Sequence, residues 1–192
     1  MEEGYIKFAS DWIQKPIIIN QDIIEEIDFW RRKCYEKSWM GMYSNGIGFG
    51  NISMRLDESR FLISASATGS LQAINSSHYA IVEDFDLQKN WIRCSGERRA
   101  SSESLSHAAL YRKDVYRIIH IHSSKLWNKW KNSAFTTDRK VEYGTPEMAI
   151  ELMRCQNQIK EDYGVIVMGG HPEGIIAYGK DFSQVFELLA SL

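Results

Sequence analysis

Cysteine and proline are scarce in this sequence of 192 residues, with three of each. The cysteines Cys34, Cys94 and Cys155 are odd in number and widely spaced, which excludes both a disulfide framework and a CxxC metal motif. No proline-rich or low-complexity stretch marks a linker between domains. A chain of this length fits one domain of ordinary size. We therefore expect residues 1–192 to form a single domain with free thiols.

Long apolar runs and an excess of positive charge are also absent. The longest apolar stretches, 17–19 and 165–168, are far too short to cross a bilayer. Residues 1–4 show neither the basic nor the apolar region of a signal peptide. The net charge of −2 offers no basic surface that would hold nucleic acid. We expect a cytoplasmic, soluble protein without a nucleic-acid or membrane partner.

Nucleotide-binding motifs are missing as well. The sequence contains no Gly-Lys-Ser or Gly-Lys-Thr of a phosphate-binding P-loop. The three glycines within 46–50 have the wrong spacing for a GxGxxG motif, and no helical pattern follows them. A nucleotide cofactor is therefore not predicted.

Hydrophobic periodicity predicts a mixed α/β fold. Helices are predicted over 21–36, 102–111, 146–161 and 181–192, the second with Ser101 or Ser102 as its N-cap. Strands are predicted over 52–56, 60–64, 79–84, 90–94, 115–122, 165–168 and 174–178. Because several neighbouring strands are joined by short turns, we expect a largely antiparallel sheet with helices packed on it.

Three of the five histidines are candidates for a metal site. His120 and His122 are two residues apart at the end of a predicted strand, so both imidazoles project from the same face. His171 follows Gly169 and Gly170, where the backbone freedom of glycine would let the ring turn inward. Three imidazoles leave a fourth coordination position open, as in catalytic zinc sites. A structural histidine pair and an ordinary turn histidine remain the alternatives.

Polar residues at turns and at a helix start could hold an anion. A helix N-terminus with free N–H groups and the hydroxyls of Ser101 and Ser102 suits a phosphate, but Ser followed by Glu103 is also common capping chemistry. Asn51 and the pair Thr68-Gly69 are further loop donors, or simply turn residues. His107, one helical turn after Glu103, is interpreted as a packing or hydrogen-bonding residue.

The order of these motifs along the chain resembles the class II aldolase/adducin family, in particular its fuculose-1-phosphate aldolase branch. The motifs that carry the resemblance are Gly50-Asn51-Ile52-Ser53, Ser66-Ala67-Thr68-Gly69, Ser101-Ser102-Glu103, His120-Ile121-His122-Ser123, Gly144-Thr145-Pro146-Glu147 and Gly169-Gly170-His171. Each motif is weak alone. Together, in the family's order and approximate spacing, they cover nearly the whole chain.

The resemblance implies a three-layer αβα fold with a central, mainly antiparallel sheet, assembled as a homotetramer. It implies zinc held by His120, His122 and His171, with Glu103 as the general acid/base. The substrate phosphate would be held by the residues at the matching loop positions, which are Asn51, Thr68, Gly69, Ser101 and Ser102. The function it implies is a zinc-dependent lyase that cleaves a small phosphorylated sugar, a ketose phosphate, by retro-aldol chemistry.

The chain also departs from the family pattern. Pro172 and Glu173 separate His171 from Gly174, where the family usually places glycine directly after its third zinc histidine. The aldolases take a tyrosine proton donor from a segment beyond the length of this chain, so Tyr143, Tyr163 and Tyr178 are open substitutes. The exact substrate is not specified by these motifs.

Other members of the family supply the alternatives. Ribulose-phosphate 4-epimerases usually carry aspartate where this chain has Glu103. Methylthioribulose-phosphate dehydratases share the zinc histidines and a similar length, which makes dehydration the competing reaction. Adducin-like interaction domains have lost these histidines, whereas all three are present here.

Overall fold

A computed structural model describes residues 5–112, 114–133 and 135–192, and over these ranges the chain forms ten strands, five α-helices and one 3-10 helix, at Ser76–His78. Residues 1–4, on which the expectation about a signal peptide rests, lie outside them. The strands are β1 (Ala9–Gln14), β2 (Gly41–Met42), β3 (Gly48–Phe49), β4 (Asn51–Arg55), β5 (Phe61–Ser64), β6 (Tyr79–Asp86), β7 (Trp91–Gly96), β8 (Arg117–His122), β9 (Gly164–Val167) and β10 (Gly174–Gly179). The helices are α1 (Gln21–Glu36), α2 (Ser104–Leu110), α3 (Ser124–Trp130), α4 (Pro146–Gln158) and α5 (Phe182–Ala190).

Eight of these strands form one sheet in the order β1-β7-β6-β5-β4-β8-β10-β9. Its strand pairs are antiparallel except β1 with β7. In the interior of this sheet β4 pairs with β8, and Asn51 lies opposite His120. β2 and β3 form a separate hairpin that ends directly before β4.

The sheet separates two layers of helices. On one face, Ile119 and Ile121 of β8 pack with buried residues of α1 and α5. On the other face, Ile118 of β8 and Ile176 of β10 pack against α2 and α4. Because successive strand residues point to opposite faces, this alternation places His120 and His122 on the side of α2 and α4. The predicted mixed α/β fold with a mainly antiparallel central sheet is confirmed.

Several elements differ from the sequence-based prediction. α2 begins at Ser104, and its N-cap position is taken by Glu103 without a side-chain cap, so the predicted Ser101 or Ser102 cap is wrong. The Ser101 hydroxyl instead accepts from the Glu103 N–H at 3.3 Å, and Ser104 donates back to the Ser101 carbonyl at 2.6 Å. Strands β1, β2 and β3 and helix α3 are not among the predicted elements. Among the described helices, none is long and apolar enough to cross a membrane.

Candidate metal centre and catalytic site

His120 and His122 lie side by side on β8 because the strand alternates its side chains. Their ring centroids are 4.9 Å apart. Both side chains are buried, with 1% and 3% of their surfaces exposed. The predicted pairing of two imidazoles on one strand face is therefore present.

His171 reaches the same place from the turn between β9 and β10. Its ring centroid lies 5.0 Å from that of His120 and 4.7 Å from that of His122. The two preceding glycines do not act as expected, since neither has a positive φ. A Cβ on Gly169 would lie 2.2 Å from the Thr137 carbonyl oxygen, and one on Gly170 would lie 1.8 Å from that of Val141. The glycines are needed for close backbone approach rather than for unusual backbone angles.

The three histidines form a cluster that could hold a metal ion. One ligand nitrogen of each lies within 4.8 Å of the others. Burial, followed by the neighbouring imidazoles, holds the pKa of His120 and of His122 well below its usual value. The rings are therefore neutral at physiological pH and keep the lone pair that zinc requires. Three imidazoles with an open fourth position are a donor set of catalytic zinc.

The contact of Asn51 with His120 supports this donor set. The Asn51 amide lies 3.3 Å from Nδ1 of His120. Nε2 of His120 is buried without a hydrogen-bond partner among the described residues, as is Oδ1 of Asn51. Rotation of the amide by half a turn lets Oδ1 accept from a protonated Nδ1, which leaves the lone pair on Nε2. A metal ion would then satisfy the remaining nitrogen.

Glu103 brings a carboxylate to the edge of the histidine cluster. Its side chain is 3% exposed, and Oε1 lies 3.9 Å from Nδ1 of His171. Because the side chain does not cap α2, the carboxylate is not used for helix capping. A carboxylate is chemically able to exchange a proton with a molecule bound beside the histidines.

A cavity of about 250 Å³ joins these residues to the predicted phosphate-binding residues. We call these residues the phosphate cradle; they are Asn51, Thr68, Gly69, Ser101 and Ser102. This volume suits a small polar molecule and lies below the roughly 300–1,000 Å³ of drug-sized sites. The nine residues predicted as site residues all line it; they are Asn51, Thr68, Gly69, Ser101, Ser102, Glu103, His120, His122 and His171. The roles of the individual residues stay predictions.

The cradle depends on close contact between loops. A Cβ on Gly69 would lie 2.3 Å from the Gly41 carbonyl oxygen, so only glycine lets this loop meet the β2–β3 hairpin. Arg31 of α1, which sequence reasoning missed, supports the same loop from beneath. Its guanidinium donates to the carbonyls of Thr68 at 2.7 Å and Gln72 at 3.2 Å. A single arginine within a helical pattern gave no signal of this contact.

Among the three candidate tyrosines, the structure places Tyr143 at the cavity. Its ring stacks on His171 with centroids 4.5 Å apart, and it lines the cavity wall. Tyr163 is 40% exposed, and the hydroxyl of Tyr178 lies beside Gly164. Neither of these two lines the cavity.

His107 makes the hydrogen bond that was expected of it. Its Nδ1 lies 2.6 Å from the Ser53 hydroxyl, which also contacts the Tyr111 hydroxyl at 2.5 Å. Complete burial lowers the pKa of His107 to about 3. The imidazole is therefore neutral and belongs to a buried network between β4 and α2.

Comparison with known proteins bears on the family. The sequence profile of the Class II Aldolase and Adducin N-terminal domain matches residues 32–192. The structure of YgbL from Klebsiella pneumoniae is similar with a TM-score of 0.65 at 16% identity, covering 91% of this chain and 86% of that one. YgbL from Escherichia coli gives a TM-score of 0.62 at 16% identity, covering 89% and 84%.

Both YgbL proteins are provisionally described as an aldolase, epimerase or decarboxylase. At this identity the likeness shows the fold alone. No curated protein sequence matches this chain significantly. The family profile, however, covers most of the sequence, and so the chain belongs to the class II aldolase and adducin family.

Proposed function

We propose that this chain is a zinc-dependent lyase that cleaves a ketose phosphate between two carbons by a retro-aldol reaction. The observation that carries the proposal is the convergence of three buried histidines, one buried carboxylate and a set of uncharged donors on a single cavity. Family membership supports an enzyme of this class. The three histidines, which adducin-like domains lack, speak against a purely structural role.

In this proposal the uncharged donors position the substrate by its phosphate. Ser101, Ser102, Thr68 and Gly69 line one part of the cavity. The Thr68 hydroxyl donates to the Ala65 carbonyl at 2.8 Å, so Thr68 and Gly69 would offer backbone N–H groups and the two serines their hydroxyls. Hydroxyl and N–H donors bind a phosphate without a cationic side chain, which agrees with the net charge of −2. The sugar carbons then extend from the phosphate toward the histidines.

The reaction requires both a proton exchange and stabilisation of developing negative charge. His120, His122 and His171 would hold zinc, which supplies a Lewis acid that polarises carbonyl and hydroxyl oxygens. Glu103, 3.9 Å from His171, would hold or release the proton exchanged at the reacting carbon. Tyr143 lines the cavity wall. It is the proposed group that exchanges a proton with the sugar fragment that leaves as the aldehyde.

Replacement of Glu103 by glutamine tests this assignment. The variant keeps the size of the side chain but removes its basic oxygen, so turnover is expected to fall by about two to four orders of magnitude while zinc content stays near one per chain. Glu147→Gln is the matched control, because Glu147 is an exposed acid in the first turn of α4. It should leave both zinc and turnover unchanged.

The readout is product analysis on a panel of ketose phosphates. Retro-aldol cleavage yields two carbonyl products, whereas dehydration yields one product that is lighter by a water molecule. Dehydration would replace the retro-aldol assignment by the dehydratase alternative. A Glu103→Gln protein with full zinc and wild-type turnover would remove Glu103 from the mechanism.

We also propose that the enzyme is a cytoplasmic homotetramer, as the family resemblance implies. Met42, 52% exposed, lies at the cavity, where a neighbouring subunit could cover it. Sedimentation at micromolar concentration should show a tetramer, and a strict monomer would contradict this assembly.

A further inference from the structure

A chain of hydrogen bonds leads from His122 away from the cavity. The hydroxyl of Tyr43 lies 2.8 Å from Nδ1 of His122 and donates to Oε2 of Glu173 at 2.7 Å. The second carboxylate oxygen of Glu173 accepts from the hydroxyl of Ser124. Both oxygens of Glu173 are thus held by hydroxyl groups from different parts of the chain.

The direction of these hydrogen bonds determines the protonation of His122. An ionised carboxylate only accepts, so the single proton of the Tyr43 hydroxyl is used toward Glu173. The Tyr43 oxygen must then accept from His122, which places the imidazole proton on Nδ1. The lone pair is left on Nε2, the remaining nitrogen of the ring.

We propose that Glu173 is a positioning residue that acts through Tyr43 to fix His122 as an Nε2 ligand of the metal centre. Carboxylate partners of metal-bound histidines fix the tautomer and orientation of the ring. Here a tyrosine hydroxyl stands between the carboxylate and the histidine. The inference rests on the metal centre of the proposed function, but it does not depend on the reaction or the substrate.

The backbone at Glu173 supports this role. Its φ is +70°, in the left-handed region where glycine is favoured and other side chains are strained. A glutamate at a position that suits glycine indicates that its side chain is needed there.

Aromatic packing holds Tyr43, the middle residue of this series of hydrogen bonds, in place. The rings of Tyr43 and Phe49 have centroids 4.5 Å apart, and Phe49 also lies 5.5 Å from His122. Removing the hydroxyl of Tyr43 therefore leaves the ring packed where it is. Tyr43→Phe isolates the hydrogen bonds from the packing.

Zinc affinity, measured by competition with a chromogenic chelator, is the test that does not need substrate. Tyr43→Phe and Glu173→Gln are each expected to lose about 10- to 100-fold in zinc affinity. The double variant should lose no more than Tyr43→Phe, because Glu173 acts through that hydroxyl. Cobalt-substituted protein should show a shifted absorption spectrum in both single variants. Tyr116→Phe, at a residue outside the cavity, is the control and should bind zinc as the wild type does.

Glu173→Gly separates positioning from a structural role. Glycine relieves the left-handed backbone, so the melting temperature of the metal-free protein should not fall, while zinc affinity should fall as in Glu173→Gln. Wild-type affinity in Tyr43→Phe and Glu173→Gln, or losses that add in the double variant, would overturn the proposal and leave the metal centre intact. A wild-type chain that binds no zinc would overturn the metal centre itself, and this inference with it.

Discussion

Replacement of Gly170 by alanine is the sharpest test of how the third histidine is placed. A Cβ at this position would lie 1.8 Å from the Val141 carbonyl oxygen and 2.7 Å from the carbonyl carbon. Contacts below 3.0 Å essentially never occur, so the Cβ and the oxygen must separate by about 1.2 Å. Since the atoms of Val141 are backbone, no side-chain rotation relieves the clash, and the turn before His171 must move.

Two measurable losses are expected from this movement. Overpacking a well-packed site costs about 1–3 kcal/mol, and we expect the upper end because the clash is with backbone. Metal–ligand distances tolerate about 0.2 Å, so a displaced His171 should lower zinc affinity at least about tenfold, which is about 1.4 kcal/mol.

Urea unfolding of metal-free protein measures the first loss, and chelator competition measures the second. Gly46→Ala is the control, because a Cβ there meets nothing within 4 Å although φ is +83°. It should cost about 1–2 kcal/mol through its left-handed backbone and leave zinc affinity unchanged. Wild-type stability and zinc affinity in Gly170→Ala would refute the close-approach reasoning.

Three further predictions concern the cradle, the core and the buried network. Ser102→Asp should repel phosphate and raise KM for a phosphorylated substrate with zinc retained; an unchanged KM would move the phosphate elsewhere. Tyr79→Phe should raise the free energy of unfolding by about 1 kcal/mol, since the buried hydroxyl has no partner among the described residues; destabilisation in urea would contradict this. The pKa of His107 is lowered to about 3 in the folded state. As the pH falls below about 6.5, His107 is therefore protonated in the unfolded chain but not in the folded one. The free energy of unfolding then decreases by about 1.4 kcal/mol per pH unit. The stability gap between wild type and His107→Asn should therefore shrink by about 2 kcal/mol from pH 7 to pH 5; a constant gap would show that His107 does not titrate this way.

Local patterns explain which parts of the site could be predicted. The side-by-side placement of His120 and His122 follows from strand alternation alone, and α1 has the predicted bounds of 21–36. Edge strand β1 escaped prediction because most of its residues are exposed, and Ala9 pairs with Trp91, far along the chain. Local pattern cannot show such a partner.

Contacts between distant segments explain the remaining differences. Tyr43 and Glu173 are 130 positions apart, so their hydrogen bond exists only after the hairpin and the β9–β10 turn are in place. The role of Gly170 was misjudged because the sequence does not reveal which carbonyl approaches it. The capping expectation at Ser101 failed for a local reason, namely that Ser104 hydrogen bonds backwards to the Ser101 carbonyl.

The pairing of β4 with β8 has a consequence for the order of folding. Strands β4 to β6 each pair with the next strand in sequence, whereas β8 pairs with β4 only after the whole segment between Arg55 and Arg117 has closed, with Asn51 opposite His120. Closing such loops is slow compared with forming local hairpins. The histidines lie on β8 and beyond it, while the cradle and Glu103 come from β4 and from the segment between β4 and β8. During refolding, the cavity that joins them therefore forms only when the two segments dock, which makes site assembly a late event in the folding of the chain.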